Sequence, residues 1–221
     1  MFSFEYTLRR KLQTGRVTTR NQIQLFRKLY HMLNGAALAF LYLHLIKSHQ
    51  TALWLIGIGG GFVITADLLR LYYQPLNRFV LKLTGPITRR EEIHTYSSMV
   101  SFIIASFIAV LVFPPAIASL ALLLLAFSDP AASIIGILYG EEKFHNGKSL
   151  QGSLACFAVA FITILIFVSN QHLASTNFIS IAFVGALATT VAELSIIKVD
   201  DNFSIPILGG AATWLALALL G

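Results

Sequence analysis

Charge is what this sequence has least of. Its 221 residues carry sixteen Lys and Arg and ten Asp and Glu, so 12% are charged, where a soluble domain carries about a quarter. That is too few to coat a soluble domain of this length, and 56% of the residues are hydrophobic. One cysteine, Cys156, excludes an internal disulfide and with it a stapled secreted module. No internal repeat and no low-complexity tract is visible, and the apolar content excludes disorder and a coiled coil. The apolar runs lack the dyad alternation of an outer-membrane barrel. Residues 1–30 are basic and amphipathic without a cleavage site, so no signal peptide is expected.

What is present is a series of long apolar segments parted by short polar stretches. The expected fold is all-α, a polytopic helical membrane protein with about seven transmembrane helices. They fall at about 31–47, 52–73, 96–113, 115–138, 150–169, 176–198 and 203–220. Residues 1–30 read as a basic cytoplasmic arm and 31–221 as one transmembrane domain. Small residues mark close helix approaches, as at Gly59, Gly60 and Gly61 or at Gly209 and Gly210.

The positive-inside rule orients these spans. Arg9, Arg10, Lys11, Arg16, Arg20, Arg27 and Lys28 precede the first one, which puts the N-terminus in the cytoplasm. Alternating sides then brings the 74–95, 139–149 and 198–203 connections inside as well. Lys47 is the one basic residue left outside. The net charge of +6 thus answers to an anionic membrane surface, with no nucleic acid implied. The acids follow the same side, which the rule does not require: none of the ten lies in an outer connection. Chemistry is therefore expected at the cytoplasmic face.

Three segments concentrate that chemistry. In FSDPAASIIG, Asp129 interrupts an apolar helix beside Ser128 and Pro130. An acid in a membrane helix faces a polar cavity or a partner; a hydrogen bond between helices explains it as well. In GEEKFHNGKSLQGS, Gly147-Lys148-Ser149 resembles the end of a P-loop, but Glu142 stands where the first glycine belongs and no strand precedes it. A glycine turn, Lys143, Lys148 and a helix starting near Ser149, with Gly152 and Ser153 in its first turn, make a phosphate cradle. An N-capping serine with a membrane-surface lysine explains the same residues. In the third segment Glu193 lies in a span and Asp200-Asp201-Asn202 forms the next inner turn. Paired carboxylates suit Mg²⁺, and solvated surface with an Asx-type turn suits them equally. Arg27, His31 and Gly35 share a helix face. Asp67 and Arg70 are placed to pair with each other, and Arg89-Arg90-Glu91-Glu92 forms a charge cluster. His44, His49 and His172 lie toward the outer side.

Taken together, SDPAASIIG and GKSLQGS, followed by Asp200-Asp201-Asn202 and Pro206, resemble the polytopic CTP-dependent lipid kinases: dolichol kinase, phytol kinase and the yeast-type diacylglycerol kinase. The likeness extends to the Arg27-Lys28…His31…Gly35 start, the 67–70 segment and the 89–92 loop, roughly residues 25–210. Gln151 is a departure, since the kinases usually show Glu there. The arginine often found after the glycine of IGILYG is also missing, leaving Lys143 and Lys148 to supply positive charge. The resemblance implies transfer of the γ-phosphoryl group of CTP to the hydroxyl of a membrane alcohol, whether a phytol- or dolichol-like prenol or diacylglycerol. It implies Mg²⁺ or another divalent cation, a nucleotide and the bilayer as partners. On that implication Asp129 belongs to metal or nucleotide binding. Lys148 with Lys143, Gly147, Ser149, Gly152 and Ser153 would hold phosphates. Asp200 and Asp201 would share metal binding and activation of the alcohol, with Glu193 in support. Arg70, Arg89 or Arg90 would neutralise the transferred group, and Ser128, Asp67, His31 and Asn202 would support the site. The expected location is a prokaryotic inner membrane before an endoplasmic-reticulum or plastid membrane. Two alternatives remain: a phosphatidate cytidylyltransferase, whose signature tryptophan is missing here, and a small transporter.

Overall fold

The structure, a computed structural model, describes residues 19–46, 48–84, 88, 91–144, 146–174, 176–194 and 199–221, with side chains from Arg27 onward except that of Glu91. Eight α-helices are seen among these residues. Helix α1, Thr19–Phe40, runs on into one π-helical turn, Leu41–Leu45. Then come α2, His49–Tyr72; α3, Gln74–Thr84; α4, Ser98–Val112; and α5, Pro115–Tyr139. Helices α6, Leu150–Asn170, α7, Phe178–Glu193, and α8, Asp201–Leu220, complete the chain. Among the described residues there is no strand, only an isolated bridge between Lys143 and Ser149. The protein is an all-α membrane protein.

Helices α2, α5, α6 and α8 are long and apolar enough to cross a membrane, while α4 and α7 are apolar but shorter. At about 1.5 Å per residue the 16 residues of α7 rise roughly 24 Å, short of a hydrocarbon core of about 30 Å. The last residue of α7 is Glu193, which is buried.

Two expectations change. The helix expected to start at residue 31 starts at Thr19, so the basic arm runs into it without a break. Arg27 and Lys28 are consequently buried. The 74–95 connection contains α3, whose Leu76, Phe79, Val80 and Leu83 repeat at helical spacing with Pro75 in the first turn.

Helix α5 is the hub. It packs against α1, α4, α6 and α8, and most of its side chains from Ile117 to Pro130 are buried. Its core is built of Leu120, Leu124 and Leu125 against Ile164, Val168, Ile181 and Ile205 from α6, α7 and α8. Helix α2 packs mainly on α4 and α3, leaving Trp54, Ile58 and Phe62 exposed as a lipid-facing surface would require. Glycines set the approaches. A Cβ on Gly35 would lie 2.9 Å from that of Ala126, so Gly35 lets α1 close on α5. Of the 59–61 triplet only Gly60 meets a neighbour, Ile103. Successive helical residues point about 100° apart, so three in a row cannot face one partner helix. Gly209 and Gly210 both pack, against Thr189 and against Phe113 with Ala121.

Candidate active site

The buried charges collect at one end of the bundle, where α1, α6 and α8 begin and α2, α5 and α7 finish. Asp129, 2% exposed, sits nearly three turns before the end of α5. Pro130 after it cannot donate to the carbonyl of Ala126, and Ser128 Oγ beside it is buried without a hydrogen-bond partner among the described residues. Across from Asp129 comes Lys28 of α1, whose ammonium donates to both carboxylate oxygens. One turn further along α1, His31 is also buried, with its ring edge-on to Tyr30 and Phe102. Its Nδ1 has no hydrogen-bond partner among the described residues.

Lys28 is the residue sequence reasoning missed. The positive-inside rule counts it as surface charge, yet it is a buried cation facing the most buried acid. Its signal was helical phase: Lys28 lies two turns before Gly35, the residue that sets the α1–α5 approach.

A second cluster forms at the α6–α7–α8 ends. Lys148 Nζ lies 3.2 Å from Glu193 Oε1 and 3.0 Å from both carboxylate oxygens of Asp201, and it donates to the Glu193 carbonyl. Burial opposes the ammonium form, but Asp201 and Glu193 more than offset it and hold the Lys148 pKa above the ordinary lysine value. Ser153 Oγ donates to Glu193 Oε2 at 3.0 Å and so fixes that carboxylate. The Lys28–Asp129 pair and the Lys148–Glu193–Asp201 group lie at the same end of the bundle.

The turn that delivers Lys148 is closed by its own backbone. Gly147 adopts φ +82°, a conformation that favours glycine. Phe144 N–H donates to the Lys148 carbonyl and Leu150 N–H to that of Glu142. Asn146 ties the turn to α7 by donating to the Leu194 carbonyl. Ser149 caps α6, accepting from Gly152 N–H at 3.1 Å, and Ser153 N–H goes to the Ser149 carbonyl. The cradle of free N–H groups expected at the start of α6 is therefore largely committed internally. Gly152 serves packing, because a Cβ there would lie 2.7 Å from the Ala132 carbonyl oxygen. Gln151 Oε1 accepts from Glu141 N–H at 3.3 Å, a bond that a glutamate would make equally well. Lys143 is exposed beside this turn.

The remaining expected residues are placed otherwise. Asp200 caps α8, accepting from Asn202 N–H at 2.9 Å, and stands apart from the Lys148 contacts of Asp201. Asn202 is buried. Arg70 is committed structurally: it pairs with Asp67 at 2.7 Å and donates to Asn77 and to the carbonyls of Glu92 and Thr95. Asp67 also accepts from Ser97 N–H, so this pair pins the 91–98 segment to α2. Glu92 in turn approaches Arg27 Nη1 at 3.6 Å. Arg89 and Arg90 lie outside the described residues. His49 is held by the Tyr42 hydroxyl at the opposite end.

For a metal, the expected set of Asp129, Asp200, Asp201 and Glu193 does not converge. Among the described residues no three His, Cys, Asp or Glu side chains gather to hold an ion. Glu193 and Asp201 do converge on one ammonium, however, and Mg²⁺ commonly takes only one or two carboxylates with phosphates and waters completing its shell. This pair fits that more modest demand.

No protein-family model matches the chain, and no solved structure matches it. Curated proteins similar to it over most of its length include the following three. A CTP-dependent diacylglycerol kinase of Saccharomyces cerevisiae is 30% identical over 214 residues, covering 88% of this chain and 73% of that protein. Its counterpart in Eremothecium gossypii is 28% identical over 202 residues, 82% of this chain. The chain spans 63% of the length of that relative. The counterpart in Schizosaccharomyces pombe is 27% identical over 173 residues, 71% of this chain and 78% of that protein.

Proposed function

The chain belongs to the family of the CTP-dependent diacylglycerol kinases, and from that premise we propose that it transfers the γ-phosphoryl group of CTP to the hydroxyl of a membrane lipid alcohol at the cytoplasmic face. Diacylglycerol is the acceptor favoured by the names of its relatives; prenols and polyprenols present the same hydroxyl on a different tail.

The observation that carries this reading is a pair of lysines, buried Lys28 and half-buried Lys148, each held by carboxylates and both at one end of the bundle. Phosphoryl transfer asks little covalent work of a protein; it asks for positioning and for cations where charge accumulates. A carboxylate-held lysine is an oriented cation that needs no reorganisation when phosphates arrive. Lys28 and Lys148 bind the phosphates, and Asp129 orients Lys28. Glu193 and Asp201 orient Lys148 and are the residues that would hold a nucleotide-borne divalent cation, which supplies further neutralisation of phosphate charge. The alcohol oxygen attacks the γ-phosphorus, the bond to the β–γ bridging oxygen breaks, CDP leaves, and the hydroxyl proton passes to a carboxylate of the cluster. The location at the cytoplasmic face is supported by the distribution of basic residues among the connections.

The test uses purified protein in lipid nanodiscs with CTP labelled on either the α- or the γ-phosphate. Transfer of γ-label to diacylglycerol or a prenol supports the kinase. Transfer of α-label to a phosphatidic acid would overturn it in favour of cytidylyl transfer.

A further inference from the structure

A cavity of about 270 Å³ lies beside the charged cluster, between α1, α2, α3 and α4. Its walls include Arg27 and His31 of α1, Phe62 and Ala66 of α2, Val80 of α3 and Met99 of α4. The Lys28–Asp129 pair is not among its walls, but His31 belongs to both places: it lines the cavity and is within electrostatic reach of Asp129.

The charge balance of this cavity decides what it takes. Among the described residues four formal charges line it, and they pair: Arg27 with Glu92, and Arg70 with Asp67. Arg70 is further committed to the carbonyls of Glu92 and Thr95, so it secures the neighbouring loop and is not presented to a ligand. Apolar atoms supply most of the remaining lining surface, and its uncharged polar groups come from Tyr30, His31, Thr84, Thr88, Ser97 and Ser98, a lining suited to an uncharged ligand that carries a hydroxyl. Buried His31 Nδ1 without a hydrogen-bond partner among the described residues supplies the polar group such a ligand would satisfy. The volume, near the lower bound of about 300 Å³ for small-molecule sites, suits a lipid head and the first carbons of its chains. On α2 and α3, Phe62, at the cavity wall, and Phe79 and Leu83 are exposed apolar side chains along which the chains could lie.

We propose that this cavity is the acceptor site: it takes the uncharged glycerol end of a diacylglycerol-type lipid, with the free hydroxyl toward His31 and the acyl chains leaving along α2 and α3. The assignment rests on the lipid-kinase reading above and adds to it where the acceptor binds and why it must be uncharged. Donor and acceptor then approach from opposite sides of His31, which keeps the nucleotide phosphates at Lys28 and Lys148 out of an apolar cavity.

The test has two arms on the full-length protein in nanodiscs. In the first, a diacylglycerol carrying a diazirine near its headgroup is photo-crosslinked to wild-type protein. Label is expected on residues 62–66 or on Met99, competed by diacylglycerol and not by the same lipid acetylated at its hydroxyl. In the second, Ala66→Phe fills the cavity and raises KM for the lipid about tenfold or more, with KM for CTP unchanged. Gly59→Leu, at a position on α2 where an added Cβ meets nothing within 4 Å, keeps the wild-type KM. Label mapping elsewhere, equal competition by the acetylated lipid, or an unchanged lipid KM in active Ala66→Phe would overturn the proposal. Competed crosslinking at these residues without any phosphoryl transfer would leave this site standing and sink the kinase reading. Transfer with label elsewhere would do the reverse.

Discussion

The ion pair between Lys28 and Asp129 joins residues 101 apart in sequence, and both partners are removed from water. Removing one partner of such a pair leaves an uncompensated charge, at a cost of about 3–5 kcal/mol, while replacing both by apolar groups is often neutral. Lys28→Met and Asp129→Leu should therefore each lower the thermal midpoint, and the double variant should recover it. Activity should fall about 10²- to 10³-fold in all three, the usual loss when a preorganised charge is removed. Recovery of both stability and activity in the double variant would reduce the pair to a structural role. Lys148 makes a prediction about pH. Its folded pKa is raised, so the stabilisation from its carboxylate contacts is complete below the ordinary value of 10.5 and is lost only as pH rises beyond it. An alkaline limb of the activity profile below that value therefore belongs to another group, and Lys148→Arg, which stays charged, should leave its midpoint unmoved. Asp129 and Glu193 stand out in the sequence as acids inside apolar runs, and Lys148 and Asp201 as members of a glycine turn and an acidic turn; the structure adds which of them pair. Lys28 did not stand out among the other basic residues of its arm.

Close approach between helices matters as much as charge. Helix α1 reaches α5 through Gly35, and that approach carries Lys28 to Asp129. Gly35→Leu should cost about 1–3 kcal/mol by overpacking and, by pushing α1 outward, reduce activity more than it reduces stability. Gly61→Ala, where an added Cβ meets nothing within 4 Å, should leave the thermal midpoint unchanged or raise it, since alanine is favoured over glycine within helices by about 0.5–1 kcal/mol. Thermal melts and turnover measured on the same two preparations check both. The helices α2, α5, α6 and α8 could be expected from their apolar runs to within a few residues. The N-terminal extent of α1 could not, because a buried basic residue lowers the hydropathy of its segment just as an exposed one does. Helix α3 was missed because its periodicity lies within a polar connection.

Across the whole molecule, the ionic contacts form a connected band at one end of the bundle: Asp67 to Arg70, Arg70 to the 91–98 segment, Glu92 to Arg27, Lys28 to Asp129, and Lys148 to Glu193 and Asp201. An uncharged substrate held in the membrane and a charged one arriving from water would meet at such a band. Its sidedness is testable with engineered cysteines, because Cys156 is fully buried and should stay silent to a membrane-impermeant maleimide. Glu142→Cys, in the exposed turn before Lys148, should label from the cytoplasm, and Gln50→Cys, at the start of α2, from the opposite face. The opposite pattern would invert the orientation.

By itself, the scarcity of charge determined that this is a helical membrane protein, and the spacing of the apolar runs located most of its spans. It also pointed to the segments expected to carry the chemistry, because any ionisable group inside an apolar helix is costly and therefore conspicuous. Only the tertiary structure decided which charges pair: Asp201 takes Lys148 while its neighbour Asp200 caps a helix, and Arg70 secures a loop. Partners so far apart in sequence are chosen by helix crossing and by the room a glycine leaves, and neither is encoded in local periodicity.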